Sequence, residues 1–237
     1  GGKYSLLQRG IEIPADVRQT GCMHTTHSLT HTVAVWLILA AALACPPSGR
    51  AAPMAAKAEL RGMVGRAQFS HAGGPFQAVA KGAAFEAGDV IQTAGGSAVD
   101  LDLGPGVGTV RLTESTTLVI EKWSAVEKGY ELSLFLRDGE MLGRVARPAG
   151  PSRFQVKVNS GIGAVVEGQF RMDAKGYLVL LDGKAGFVHV PSSGEPVAHA
   201  LNTPPAQYFS PVGGVRTAPA ELVKEVNSQL RSKLPKR

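Results

Sequence analysis

Residues 97–113 read SAVDLDLGPGVGTVRLT, and this stretch decides the fold class. Apolar and polar side chains alternate in its first half, so Val99, Leu101 and Leu103 fall on one face of a strand and Asp100 falls on the other. The glycines and the proline of GPGVG supply the backbone angles of a turn, and the alternation then resumes. The stretch predicts two antiparallel strands whose apolar faces turn towards a core.

The same two-residue period extends over a β domain that we place at residues 60–200. Further alternating runs are centred on Leu118, Leu134 and Phe154, and turn residues recur at intervals of about 8–12 positions. This spacing is typical of antiparallel architectures rather than of alternating β-α units. The sequence therefore predicts an all-β fold, an antiparallel β-sandwich or β-roll of many short strands.

Three local features complete the predicted organisation. The dipeptides Asp138-Gly139 and Asp182-Gly183 predict hairpins, because Asp-Gly tolerates left-handed backbone. Residues 201–216 are rich in Pro and Gly and are interpreted as a linker or a wrapped tail. A short amphipathic helix is predicted over 217–235, because Leu222, Val223, Val226, Leu230 and Leu234 recur at helical spacing. We expect this helix to pack on the β domain, the alternative being that its basic flank docks on a membrane or an acidic partner.

The net charge of +6 is a property of the ends of the chain. Residues 57–215 carry fifteen basic and fifteen acidic side chains, whereas residues 216–237 carry six basic and two acidic ones. A nucleic-acid-binding body would spread Lys and Arg over one face and interleave aromatic residues with them. The sequence therefore predicts no nucleic-acid partner.

Residues 33–44 read VAVWLILAAALA, an apolar run of about a dozen residues. Such a run is too short to cross about 30 Å of hydrocarbon as a helix. It fits the apolar region of a secretory signal, which we place at residues 23–52, after an upstream extension at residues 1–22. We expect an exported protein that is periplasmic or associated with the cell envelope.

Processing of this signal has two candidate cleavage sites, after Ala44 and after Ala51. Cys45 directly follows Ala44 and is a candidate lipidation site. The two cysteines are Cys22 and Cys45, so residues 57–237 contain none. A cysteine-free body has nothing to mispair in an oxidising compartment, and a disulfide framework is excluded.

Several short motifs follow one another in order between residues 60 and 190. They include Gly62-x-Val64-Gly65, Phe85-x-Ala87-Gly88-Asp89-x-Ile91-x-Thr93, and Gly161-Ile162-Gly163-Ala164-Val165 with Phe170. Taken together they resemble a FecR-type domain. The resemblance implies an extracytoplasmic all-β module, with family-motif positions at Gly88, Asp89, Thr93, Gly161 and Phe170.

The chain departs from that family pattern in two places. Val166, Glu167 and Gly168 stand where the family commonly has Arg-Gly-Thr. The regulators of the family also carry a cytoplasmic anti-sigma segment followed by a full membrane helix, which the segment before residue 33 and the short apolar run do not match. The resemblance is therefore carried over for the fold and not for a role in sigma-factor control.

The candidates for chemistry have simpler structural interpretations. His71, His189 and His199 show no ligand spacing, so no metal site is predicted. Asp100 and Asp102 lie on one strand face about 7 Å apart. That separation is compatible with a glycosidase pair, but a solvated strand face, shared with Arg111, is the favoured interpretation.

One glycine-rich loop and three aromatic residues are further candidates for ligand binding. Gly104–Gly108 superficially resembles a phosphate loop, but a strand follows where a phosphate loop needs a helix, so a turn is predicted. Trp123, Tyr130 and Tyr208 could form part of a sugar-stacking surface, but core or rim packing is the favoured interpretation. Neither the loop nor the aromatic residues predict a cofactor.

The leading hypothesis is a non-enzymatic exported module that recognises a protein or a component of the cell envelope. A sheet edge could accept a strand of the partner. A carbohydrate-binding module is the first alternative, and an exposed row of aromatic side chains would favour it. An envelope hydrolase is the second, and it would require titratable groups that converge in a pocket.

Overall fold

Residues 56–191 and 194–232, which are the residues that the computed structural model describes, form sixteen strands and one helix. The predicted extension at residues 1–22, the signal at residues 23–52 and the sites at Ala44, Cys45 and Ala51 lie outside them. The strands are β1 (Ala58–Val64), β2 (Ala67–Ser70), β3 (Gln77–Ala78), β4 (Ala84–Phe85), β5 (Val90–Thr93), β6 (Ala98–Asp102), β7 (Gly108–Leu112), β8 (Thr117–Val126), β9 (Gly129–Asp138), β10 (Glu140–Val145), β11 (Arg153–Val158), β12 (Gly161–Asp173), β13 (Leu178–His189), β14 (Val197–Asn202), β15 (Gln207–Ser210) and β16 (Gly214–Thr217). The helix is α1 (Ala220–Arg231).

The strands form one curled sheet. Its main path runs β3-β2-β5-β8-β9-β11-β12-β10-β7-β6-β1-β4, and β13 joins β12 and carries β14, β15 and β16. The described strand pairs are antiparallel, except that β9 and β11 run parallel. Only Gly65 and Arg66 separate β1 from β2, which lie near opposite ends of this path, so the sheet curls back on itself. The prediction of an all-β, largely antiparallel fold with a C-terminal helix is confirmed.

The concave face of the sheet holds the core. Val99, Leu101 and Leu112 are at most 1% exposed, as the alternation of residues 97–113 predicts. Aromatic side chains fill the space between strands that are distant in sequence, and Phe154 meets Phe170 edge-to-face with ring centroids 5.8 Å apart. Because one face of nearly every strand turns into this core, burial of aliphatic and aromatic side chains is the main source of stability.

The predicted hairpin at Asp182-Gly183 is wrong. Both residues lie inside β13, which runs beside β12 from end to end with irregular register near this point. Gly183 (φ +97°) faces Gly168 (φ +117°) across the pair, and a Cβ on either glycine would meet a backbone carbonyl of the opposite strand. The left-handed backbone that Asp-Gly permits is used here for a bulge that bends a long ribbon, not for a chain reversal.

The dipeptide Asp138-Gly139 does not form a hairpin either. It connects β9 to β10, but β9 pairs with β8 and β11, whereas β10 pairs with β7 and β12. The positive φ of Gly139, +79°, turns the chain sharply from one part of the sheet to another. The residues of GPGVG, in contrast, connect the paired strands β6 and β7, so this turn prediction is confirmed.

The segment 201–216, predicted as a linker, contributes strands to the sheet. β14 ends at Asn202, β15 continues its line along β13, and β16 pairs with β15. Phe209 of β15 is buried and stacks on Phe187 with ring centroids 4.6 Å apart. The Pro and Gly residues occupy the short connections between these strands, which is why the composition resembles that of a linker.

Helix α1 packs on the convex face of the sheet rather than at its edge. Val226 is fully buried against Leu142 of β10 and Val179 of β13, and Leu222 and Leu230 flank this contact. The sequence expectation that the helix packs within the chain therefore holds. Within the described ranges, no helix has the length and apolar character needed to cross a membrane.

Candidate functional site

Gly88 and Asp89 shape the turn that leads into β5. Asp89 is 1% exposed, and its Oδ2 accepts a hydrogen bond from the Glu86 backbone N–H at 2.8 Å. Its Oδ1 lies 2.6 Å from Nδ1 of His71, a side chain that is largely exposed. Gly88 has a φ of +97°, and its N–H donates to the Ile120 carbonyl. These two motif positions therefore hold a turn against β8.

Thr93 ties β5 to the loop before β8. Its Oγ1 donates to the Thr113 carbonyl at 2.5 Å and accepts from the Thr116 N–H at 2.9 Å. Because Thr93 is buried, these bonds satisfy polar groups that water cannot reach.

Gly161 and Phe170 of β12 pack closely against neighbouring strands. A Cβ at Gly161 would collide with the Val188 carbonyl, so the glycine allows β12 and β13 to approach closely. Phe170 is fully buried, and its ring lies against Gly143, where a Cβ would overlap it. The five motif positions are thus spread over separate parts of the sheet and form no common site.

His189 of β13 and His199 of β14 both lie near Phe209, whereas His71 contacts Asp89 in another part of the sheet. His189 Nδ1 is 3.0 Å from the Ser160 carbonyl oxygen, and the His199 ring lies 4.6 Å from that of Phe209. Across residues 56–191 and 194–232, no group of three or more His, Cys, Asp or Glu residues could hold a metal ion.

Asp100 and Asp102 do not form a free carboxylate pair. Both oxygens of Asp100 accept from Arg111, at 2.6 and 2.8 Å, and Asp102 Oδ1 accepts the Gly104 N–H at 2.9 Å. The prediction that Asp100 and Arg111 are solvated is wrong, since their side chains are only 19% and 13% exposed. Helix α1 lies above them, which the alternation of β6 and β7 could not reveal.

The aromatic candidates do not form an exposed row. Trp123 and Tyr130 are buried and meet edge-to-face at 6.0 Å, and burial raises the pKa of Tyr130. Tyr208 is half-buried beside α1. The surface on which the carbohydrate-binding alternative depends is therefore not built by these three side chains.

The outer edge of β14 is open. β14 pairs with β13 along one side, and no strand of the described residues pairs with its other side. The Thr203 N–H donates to Gly183 of β13, whereas the Asn202 N–H donates to the Gln207 side chain instead. Because N–H direction alternates along a strand, the backbone groups of Ala198 and Ala200 point away from β13 towards this open edge.

An uncharged surface continues from that edge over the outer face of β13 and β12. Ala198 is paired with Val188, and Val188 with Ile162, so the three side chains form one row across the strands. All three are exposed, Val188 at 40% and Ile162 at 37%. We call β14 together with this row the β14 edge. This edge was not predicted from the sequence. The signal that could have indicated it is VAHALN at residues 197–202, which has neither the charge nor the proline that commonly protects an open edge.

Two grooves are also present. The larger, about 810 Å³, lies between β2, β5 and the end of β9 and mixes apolar side chains such as Met63 and Val79 with the amides of Gln68 and Gln92. Of its described lining residues, Asp138 is the one carboxylate and none is a histidine. The smaller, about 580 Å³, lies beside the end of α1 and is lined by arginines.

Comparisons with known proteins do not assign a family. No family model and no curated protein matches the chain. Two crystal structures of a proposed anti-sigma factor from Parabacteroides distasonis ATCC 8503 are similar to it, each at 16% sequence identity and a TM-score of 0.44. Each similarity covers 60% of this chain and 65% or 64% of the other one. A TM-score below 0.5 does not establish a shared fold, so the likeness to a FecR-type domain stays a prediction from the sequence.

Proposed function

We propose that the chain is a non-enzymatic binding module of the cell envelope that takes an extended segment of a partner protein as an added strand on β14. The open edge of β14 is the observation that carries this proposal. An added strand would meet the free N–H and C=O groups of Ala198 and Ala200, which supply affinity through backbone bonds.

The side chains around this edge favour strand addition. Proteins commonly protect open edges with charge, proline, bulges or short strands. β14 spans six residues and carries none of these in its sequence. The neighbouring row of Ile162, Val188 and Ala198 offers apolar contacts on the same side, so a partner strand with alternating apolar residues would fit.

A proline substitution tests the edge with little effect on the fold. In Ala200→Pro the ring removes the N–H that faces outward and blocks the approach of a partner strand, but the ladder to β13 keeps its bonds. The matched control is Ala200→Val, which keeps the N–H and suits a strand. The probe is a peptide selected on the native chain from a displayed random peptide library, with binding measured by calorimetry.

We expect Ala200→Pro to weaken peptide binding at least about tenfold, while Ala200→Val binds as the native chain does. Hydrogen exchange of the Ala198 and Ala200 amides should also slow in the complex with the native chain. Selected peptides that bind both variants equally would reject β14 as the site.

Export is the second part of the proposal, and the apolar run at residues 33–44 supports it. Intact mass of the protein recovered from outside the cytoplasm decides where the chain is cut. A mature chain beginning between Cys45 and Lys57 is expected. A lipid added to Cys45 would indicate a membrane-tethered module, and retention of residues 23–44 would reject cleavage.

A further inference from the structure

The groove beside the C-terminal end of α1 is strongly basic. Its lining includes Arg61 of β1, Arg111 of β7, Arg144 of β10 and Arg231 of α1, against the single carboxylate of Asp100. Four positive groups and one negative group give a formal charge of +3 in a space of about 580 Å³. That volume is in the range of small-molecule sites.

Arg111 takes no part in this excess charge. Its Nε and Nη2 groups bind Asp100, and its remaining donors bind the Gln229 carbonyl and the carbonyl and hydroxyl of Ser232. It thereby neutralises Asp100 and satisfies carbonyls at the negative end of the helix dipole. The free positive charge of the groove therefore belongs to Arg61, Arg144 and Arg231.

These three side chains come from separate elements but face one space. Arg61 is the extra residue of a β-bulge, because Leu60 pairs with Leu101 while Gly62 pairs with Asp100. A bulge re-aims a side chain relative to regular alternation. Arg144 is exposed on the same convex face and donates to the Gln169 side chain at 3.1 Å. Within the described part of the chain, the side chains of Arg61 and Arg231 have no ion-pair or hydrogen-bond partner.

We propose that this groove binds a phosphate group, with Arg61, Arg144 and Arg231 as its ligands. A phosphate monoester carries three terminal oxygens and a charge of about −1.5 to −2 near neutral pH, so it can accept from several guanidinium groups at once. The planar fork of arginine matches phosphate geometry, and such charge-assisted bonds are stronger than neutral ones. The phosphate comes from a soluble compound or from the headgroup of an anionic lipid.

The test compares two triple variants with the same net charge. The groove variant is Arg61→Gln, Arg144→Gln, Arg231→Gln. The control variant is Arg137→Gln, Arg147→Gln, Arg153→Gln, which removes three exposed arginines from outside the groove. Circular dichroism melts check that both variants fold. The probes are pyrophosphate, measured by calorimetry, and phosphatidylcholine vesicles with and without phosphatidic acid, measured by sedimentation at constant salt.

We expect the groove variant to bind at least about tenfold more weakly than the native chain, while the control variant keeps its affinity. Binding of pyrophosphate indicates a soluble phosphate compound, and binding confined to vesicles with phosphatidic acid indicates a lipid headgroup. Equal losses in the two variants would show attraction by net charge alone and reject the site. Failure of the native chain to bind either probe would also overturn the proposal.

Discussion

At the residue scale, Arg111 fastens α1 to the sheet. Its guanidinium meets Asp100 on the neighbouring strand and three acceptors at the end of the helix, which lie more than a hundred residues away in the chain. All five of its N–H donors are used, which is the full capacity of an arginine side chain. These hydrogen bonds hold α1 on the sheet, so Arg111 has a structural role and is not a free surface charge.

Replacing Arg111 should therefore destabilise the folded state. Arg111→Ala is expected to lower the free energy of unfolding by about 2–4 kcal/mol, because Asp100 and the helix-end carbonyls lose their donors while partly buried. The control Arg147→Ala, whose side chain is 86% exposed, should cost less than about 0.5 kcal/mol. Urea denaturation measures both, and similar costs would mean that the Arg111 contacts contribute little.

Glu140 introduces a dependence of stability on pH. Burial raises the pKa of its carboxyl, the charges of Asp173 and Glu225 raise it further, and Arg171 opposes them. Between the ordinary and the raised pKa the folded state binds more protons than the unfolded one, so stability falls as the pH rises through this window. Glu140→Gln cannot ionise and escapes this loss.

The measurement is a pair of urea denaturation curves for the native chain and for Glu140→Gln, near neutral pH and near pH ~4. The stability of the variant relative to the native chain should be more favourable near neutral pH than in acid. Glu59→Gln, at an exposed position of β1, is the control and should show no such change. A difference that is independent of pH would contradict the assignment.

At the element scale, the ribbon of β12 and β13 depends on two glycines that face each other. Gly168 and Gly183 combine positive φ with a close approach of the two backbones. Gly104 has a similar φ of +95°, but no heavy atom lies within 4 Å of its Cβ position. Gly104 is therefore constrained by φ alone, whereas Gly168 and Gly183 are constrained both by φ and by contact with the opposite backbone.

Gly183→Ala should therefore lower the free energy of unfolding more than Gly104→Ala does. The strain of positive φ is expected to cost about 1–2 kcal/mol in both variants, and the collision with the Glu167 carbonyl should add about 2 kcal/mol at Gly183. Thermal and urea denaturation of the two variants give the comparison. Equal losses would mean that the ribbon relaxes without cost and that the bulge is not fixed by backbone contact.

Sequence analysis predicted the strand phases better than the connections. The faces of β6, β7, β9 and β11 follow from alternation, because inward positions must be apolar in any roll. An Asp-Gly dipeptide serves a hairpin or a bulge equally well, so Asp182-Gly183 could not be placed from local signals. The position of α1 above Asp100 and the unpaired side of β14 depend on which elements lie beside each strand. The alternation of apolar and polar residues carries no information about those neighbouring elements. The β14 edge and the arginine groove were therefore not predicted.

At the scale of the whole molecule, α1 covers part of the convex face. Deleting residues 219–237 should expose Leu142 and Val179, which are buried under Val226. Uncovering two buried aliphatic side chains costs about 3–6 kcal/mol, which lowers the melting temperature of a domain of this size by roughly 10 °C. An unchanged melting temperature after this deletion would show that α1 does not stabilise the sheet.

The order of the strands also determines how fast the chain can reach this structure. β10 lies between β7 and β12, and β1 must pair with β6 before the curled sheet is complete. Many contacts therefore join residues that are distant in sequence. Each such contact requires a large loop to close before it gains any free energy, which slows all-β topologies to milliseconds or seconds. Stopped-flow circular dichroism should show refolding on this timescale, and microsecond refolding would contradict it. The Arg111 contacts with Ser232 join residues 121 positions apart in the chain. We therefore expect α1 to dock after the sheet has formed, so that its removal speeds unfolding more than it slows folding.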